Sequence, residues 1–365
     1  MKIIISFFIF CIVLFMYLHI QFHLKTSNDL EVYELDDASK DKLEEVCDIR
    51  QPVLFDFNDA KMIETTSKNF IIENYPSFEI KIRNTNDNDK NSELYVPLPL
   101  HASRKLFDED KNACYFSENN SDFLNETGVV KNFKYNDIFL RPYMVSNMNY
   151  DIMMSSKDTI TPFRYENNYR NYFLCTQGSV EIKMTPPQSS KYLYTEHDYE
   201  NFEFRSPVNP WNVQSKYADD FNKVKCLEIS LTKGKIVYIP AYWWYSIKFS
   251  KDSSVSCFRY RTYFNNLAIS PYIFMHILQL QNVKRETNNK IPIEMLQKTN
   301  DNTTILGNNN NHNSSNHNSS NHNSSNNDTN GNEAEPSQSN EISMQPNIDI
   351  DIVNTSTNID NLAIL

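Results

Sequence analysis

Two stretches far apart in the chain, TPFRYENNYRNYFLCTQGSVEIKMTPP (Thr161–Pro187) and GKIVYIPAYWWYSI (Gly234–Ile247), constrain the fold more than any other part of it. Both are rich in the aromatic and β-branched residues that suit a pleated, half-buried surface. Glycine is scarce, and of the five present only Gly128, Gly178 and Gly234 precede the tail. A turn that needs positive φ accounts for Gly178 and Gly234. The order strand, Gln177-Gly178-Ser179, strand over Tyr172–Met184 reads as a hairpin. With Lys225–Leu231, Ile236–Pro240, Tyr245–Phe249 and Ser254–Arg261, these short and evenly spaced runs predict a β-barrel or sandwich.

A chain of 365 residues leaves room for one large domain plus appendages. A hydrophobic content of 40%, with 21 Tyr and 23 Phe, is ample for its core. The net charge of −11 sits mostly at one end, because eight acidic residues and no Lys or Arg follow Lys298. The body is near neutral, which gives no reason to expect nucleic-acid binding. Cys11, Cys47, Cys114, Cys175, Cys226 and Cys257 lack C-x-x-C spacing. That argues against a zinc site and for buried free thiols.

Ile3–Ile20 is an uncharged apolar run preceded by Lys2. At ~1.5 Å per residue it is about 27 Å long, enough to cross a hydrocarbon core. No small-residue cleavage site follows, which favours an uncleaved single-pass anchor over a signal peptide. The few flanking lysines (Lys2; Lys25 and Lys40) set no orientation, and the sequons at Asn125 and Asn302 are compatible with a lumenal body and glycosylation. The chain thus divides into an anchor (1–24), a linker (25–39), a folded domain (40–285) and an Asn/Ser-rich tail (286–365). Within the domain, Ala38–Cys47 reads as a helix and Gln51–Phe55 as a buried strand. Phe70–Asn84 and Leu94–Leu100 carry further strand signal. Pro271–Val283 has helical spacing and fits either packing on its own barrel or a homodimer contact. The tail repeats NHNSS three times, with His312, His317 and His322, and is too polar to offset the entropy of ordering, so disorder is expected.

The runs Thr161-Pro162-Phe163-Arg164-Tyr165-Glu166 and Tyr238-Ile239-Pro240-Ala241-Tyr242-Trp243-Trp244-Tyr245 resemble the two halves of a Jumonji-C-type cupin. The asparaginyl-hydroxylase branch of that family reads T-P-x-H-Y-D and Y-I-P-x-Y-W-W-H at these places. The resemblance spans roughly residues 40–285. It implies a mainly β fold, a double-stranded β-helix (jelly-roll barrel) with flanking helices. It also implies an Fe(II)- and 2-oxoglutarate-dependent protein hydroxylase, whose iron is held by His-x-Asp on one strand and a distant His on a facing one. Positions i and i+2 of a strand enter the barrel together, which explains the spacing.

Both family histidines are missing. The resemblance places Arg164 and Glu166 at the His-x-Asp positions and Tyr245 at the distal His. Of the three only Glu166 suits a metal, since Arg164 keeps its proton and repels cations. Thr161 matches a residue that contacts 2-oxoglutarate, and Asn171 falls near another. Val180 stands where the family's lysine anchors the far carboxylate. Thr161, Asn171, Tyr172 and Val180 are therefore the candidates for a ligand pocket. Without a metal, a buried Glu166 needs a counter-charge, so an Arg164–Glu166 ion pair with the Tyr245 hydroxyl beside it is expected. The implied protein is a membrane-anchored pseudo-dioxygenase without cofactor, serving as a binding or structural module. The alternatives are an Fe(II)/2-oxoglutarate hydroxylase with unusual ligands and a metal-free small-ligand-binding cupin.

Overall fold

The computed structural model describes residues 1–36, 38–85 and 94–282. The tail expected to be disordered, with its three histidines, lies outside the described residues. The chain opens with helix α1 (Lys2–Leu24) and strand β1 (Tyr33–Leu35), then α2 (Lys40–Asp48) and β2 (Val53–Asp56). Helices α3 (Ala60–Thr65) and α4 (Lys68–Asn74) lead to β3 (Glu79–Asn84) and β4 (Val96–Pro99). Next come α5 (Leu100–Glu109), β5 (Tyr115–Ser117), α6 (Ser121–Glu126) and α7 (Val130–Asn136). Six strands follow: β6 (Val145–Ser155), β7 (Phe163–Tyr165), β8 (Arg170–Gln177), β9 (Ser179–Thr185), β10 (Glu196–Asp198) and β11 (Glu203–Ser206). After a short α8 (Ala218–Phe221) the strands are β12 (Leu227–Thr232), β13 (Lys235–Ile239), β14 (Trp244–Phe249) and β15 (Ser254–Thr262). Helices α9 (Tyr263–Ala268) and α10 (Ser270–Asn282) end the described chain.

The strands form two sheets, one of nine in the order β1-β2-β13-β8-β15-β6-β5-β3-β4 and one of six in the order β10-β11-β7-β14-β9-β12. All pairings are antiparallel except β1 with β2. Inward positions alternate along each strand. Phe173, Cys175, Val237 and Cys257 of the larger sheet pack against Val180, Ile182, Ile247 and Phe249 of the smaller. The outer face of the larger sheet (Phe55, Leu174, Ile236, Phe258) buries the apolar sides of α2 to α7 through Leu43, Met62, Ile71, Phe107, Phe123 and Phe133. The molecule is thus largely β with flanking helices, and α1 is long and apolar enough to cross a membrane, at a mean hydropathy of 2.7.

Three local expectations need correction. The Gly178 turn does not close a hairpin: β8 pairs with β13 and β15, while β9 pairs with β12 and β14. The turn instead carries the chain from one sheet to the other, as Gly234 does between β12 and β13. The strand signal over Phe70–Asn84 splits, and its first part is α4, because the Ser67 hydroxyl accepts from Phe70 N–H and caps a helix that buries Ile71 and Ile72. Residues 25–39, read as linker, contribute β1, which extends the larger sheet beside β2.

The two corner glycines are not equivalent. A Cβ on Gly178 (φ +67°) would lie 3.0 Å from Ser253 Cα and 3.2 Å from the Asp252 carbonyl oxygen. At Gly234 (φ +88°) the nearest atom would be a flexible Ile63 methyl 3.8 Å away. Gly234→Ala is therefore expected to cost only the left-handed strain, ~1–2 kcal/mol. Gly178→Ala adds a backbone clash at the crossing and should cost clearly more. Urea unfolding of the two variants checks the order, and equal losses would contradict it.

Candidate functional site

Strand β7 sets the site by alternation. Phe163 and Tyr165 turn outward onto the Trp244 ring, with centroids at 5.6 and 4.9 Å, so Arg164 turns into the space between the sheets. Its cross-strand partner is Tyr245 of β14, and Glu166 follows just past the strand end. The three positions singled out by the resemblance therefore do converge, and Arg164 and Glu166 line one cavity of about 270 Å³.

Within it the expected Arg164–Glu166 pair is not formed, because each side chain meets better-placed partners from other strands. Arg164 donates through both terminal nitrogens to the Glu118 carboxylate and through Nη1 to Glu203 Oε1 at 3.0 Å. Arg83 completes the group, with Nη1 at 3.1 Å from Glu118 and 2.8 Å from Glu203 and Nη2 at 3.1 Å from Glu203. The Tyr95 hydroxyl also donates to Glu118, at 2.8 Å. All four charged side chains of this ring are at most 8% exposed. Burial alone would raise the Glu118 pKa, but the Arg164 and Arg83 guanidinium groups hold it down to about 2. Burial likewise opposes ionisation of Glu203, and Arg83 and Arg164 keep it below the usual carboxylate range.

Glu166 belongs to a second network. Arg259 Nε donates to both its oxygens, at 3.0 and 2.9 Å, the Tyr245 hydroxyl donates at 2.5 Å, and Asn168 Nδ2 donates at 2.7 Å. Burial would raise the Glu166 pKa, yet Arg259 and the tyrosine hydroxyl lower it. Burial and the Glu166 charge push Tyr245 well above its ordinary value, so its hydroxyl stays a donor. Behind Arg259, the buried Asp151 accepts from the backbone N–H groups of Asn119 and Asn120, both at 2.8 Å.

The remaining sequence candidates lie away from the cavity. The Thr161 hydroxyl accepts from Ile247 N–H at 2.9 Å and its carbonyl from the Ser246 hydroxyl, so the residue bridges two segments and does not line the cavity. Asn171 is spent on the Ile239 carbonyl and on Asn168. Tyr172, one residue on, therefore points to the opposite face of β8, among the helices and 3.7 Å from Cys47 Sγ. Val180 is packed in the core between the sheets. Residues that sequence reasoning missed are Arg83, Glu118, Glu203, Arg259 and Arg261. The one usable signal was Arg259 and Arg261 at i and i+2 in the apolar strand β15, where charge at alternate positions marks an inward polar column.

That column pairs Arg259 with Asn149 and Arg261 with Asn147 across β15 and β6, leading to the cavity mouth. Arg261 lies over the Phe202 ring at 4.9 Å and donates Nε to Asn168 Oδ1 at 2.7 Å. No carboxylate lies within ion-pair distance of it among the described residues. Among the described residues, its terminal nitrogens form the one guanidinium fork lining the cavity that meets no carboxylate.

An iron centre does not fit these side chains. Arg164 brings a positive charge where a nitrogen donor is required, and both oxygens of Glu166 already accept from three donors. No group of three His, Cys, Asp or Glu suited to a metal occurs among the described residues. His197 and His276 bond to the hydroxyl and carbonyl of Tyr199 instead.

A family model for a cupin-like domain matches residues 23–266. A JmjC domain-containing protein D of Dictyostelium discoideum is 30% identical over 113 residues, covering 31% of this chain and 25% of that protein. HSPB1-associated protein 1 of rat and of human is 26% identical over 97 residues, or 26% of this chain and 20% of each relative. The matched segments thus span a quarter or less of these relatives.

Proposed function

Since the chain belongs to the cupin-like domain family, we propose that it is a catalytically inactive member: a double-stranded β-helix, anchored in a membrane through residues 3–20, whose interior has become a metal-free binding site. The observation that carries this reading is the double occupation of the ligand positions, with Arg164 locked to Glu118 and Glu203 and Glu166 locked to Arg259 and Tyr245. A metal would have to displace a complete set of charge-assisted hydrogen bonds in a buried place, where each is strong. Besides these paired charges, the cavity that remains is lined by amide side chains, three aromatic rings (Tyr95, Tyr165 and Phe202) and the fork of Arg261, which meets no carboxylate among the described residues. Such a lining suits a small polar ligand with a carboxylate or phosphate group.

The experiment uses the full chain purified in detergent and incubated anaerobically with Fe(II). Elemental analysis after desalting should find no stoichiometric iron, and 2-oxoglutarate should not be turned over. One iron per chain, or turnover, would establish the hydroxylase with unusual ligands instead. A thermal-shift series with citrate and inorganic phosphate then tests the binding role. A ligand at 100 times its Kd adds about 2.7 kcal/mol to the native state, a rise of roughly 5–10 °C. The rise should disappear in Arg261→Gln.

A further inference from the structure

The N-terminal helix does not leave the domain cleanly. Its last turns run alongside α9: Phe15 meets the Phe264 ring edge-on at 5.9 Å, and His19 stacks on it at 4.5 Å. His23, buried at the end of α1, faces Thr262 at the start of α9. Arg50 fixes the exit by donating to the carbonyls of His23 and Lys25 while lying over the Phe22 ring. The lengths then conflict. The part of α1 before Phe15 is only about 20 Å long at ~1.5 Å per residue, against a hydrocarbon core of ~30 Å. If α1 crosses a bilayer, its docked turns must also lie within the apolar layer, and α9 must go with them.

The surface beside α1 has the composition this requires. No Asp, Glu, Lys or Arg occurs between Arg261 and Lys284. Helix α10 turns Tyr272 and His276 toward the domain, against Phe204 and Phe202. Its other faces leave Phe274 59%, Ile277 48% and Leu280 48% exposed, and no described element covers them. Exposed Tyr143 and Tyr263 stand at the α1–α9 corner, amphipathic rings of the kind that favour the headgroup level.

We infer that α9 and α10 form a second membrane contact, with the outer face of α10 lying in the bilayer surface beside α1. The occupant of this face is lipid. It is continuous with the anchor, it carries no charge, and it accounts for the part of the hydrocarbon thickness that the free part of α1 leaves unspanned. A monolayer contact at this depth also brings the Phe202 rim of the cavity to within one helix of the headgroups. This inference rests on the reading of α1 as an anchor, and the test separates the two.

Full-length protein is reconstituted into phosphatidylcholine nanodiscs with and without brominated acyl chains, as Phe274→Trp, as Leu278→Trp and as Tyr194→Trp. Tyr194 is an exposed control bonded to Asp220. The fluorescence added at positions 274 and 278 should be quenched by bromolipid several-fold more strongly than that at 194. Membranes from cells making the same chain are extracted in parallel with alkaline carbonate. Resistance to carbonate with no extra quenching at 274 and 278 would overturn the α10 contact and leave the anchor standing. Those two results together with chemical cross-linking into dimers would show that a second copy covers the face. Release by carbonate would overturn the anchor, and this inference with it.

Discussion

Arg164→Leu is expected to destabilise the protein by about 3–5 kcal/mol, the range for removing one partner from a buried ionic group. The loss would consume about a fifth or more of the roughly 5–15 kcal/mol that usually holds a domain together. The cause is not the missing hydrogen bonds alone. Without Arg164, Glu118 and Glu203 share the single charge of Arg83 at sites 2% and 8% exposed, and one carboxylate becomes an uncompensated buried anion. Leucine at both 164 and 118 should recover much of the loss, because Arg83 and Glu203 remain as a bidentate pair and a buried ion pair can be replaced by apolar side chains at little cost. Urea unfolding of the two single variants and the double variant closes the cycle. If the losses simply add, the four groups do not act as one unit.

The same residues fix the acid response. Glu118, at about 2, and Glu203 and Glu166, also lowered, sit below the ordinary glutamate value of 4.5 in the folded chain. A depressed carboxylate adds stability that is complete above its unfolded pKa and is lost as pH falls through the folded one. Stability should therefore fall from about pH 5 towards pH 2. Asp151 works the other way, because burial raises its pKa, but it is one group against three. In Arg164→Leu, Glu118 loses its main counter-charge and Glu203 its second, while Glu166 keeps Arg259, so the fall between these pH values should be shallower than in the parent. Midpoints measured at pH 7, 5 and 3 decide this; a steeper fall in the variant would contradict the assignment.

How much of this was legible beforehand depended on range. Strand alternation is local, so Arg164 and Glu166 could be placed on one inward face, and Tyr245 opposite them, from spacing and resemblance. Partner choice is not local. Arg83, Glu118 and Glu203 arrive from β3, from beyond β5 and from β11, and no spacing rule says which inward carboxylate a guanidinium will reach. The pairing drawn from the i, i+2 rule was therefore wrong although the shared face was right. Turn chemistry has a similar limit. Positive φ at Gly178 was readable, but a glycine corner between strands of two different sheets uses the same residue as a hairpin. At Phe70–Ile72 an apolar run too short to show its period gave way to the Ser67 cap.

Rebuilding the family's ligand set should fail for the same long-range reason. Arg164→His with Tyr245→His puts His, Glu and His at the three positions, yet no stoichiometric Fe(II), Mn(II) or Ni(II) is expected. A histidine ligand must be neutral to bind metal. An imidazole at position 164 would face Glu118 and Glu203, whose charges stabilise its protonated form, so it would act as their counter-ion. Glu166 would also stay engaged by Arg259, which the two substitutions leave in place. Adding Glu118→Leu and Arg259→Leu removes both obstacles and keeps the Arg83–Glu203 pair balanced. That fourfold variant should bind metal at least about 10–100-fold more tightly than the double variant, the usual effect of residues that hold or misdirect a ligand. Elemental analysis and divalent-metal thermal shifts on both proteins make the comparison. A full metal complement in the double variant, or none in either, would show that the ion networks are not what excludes the metal.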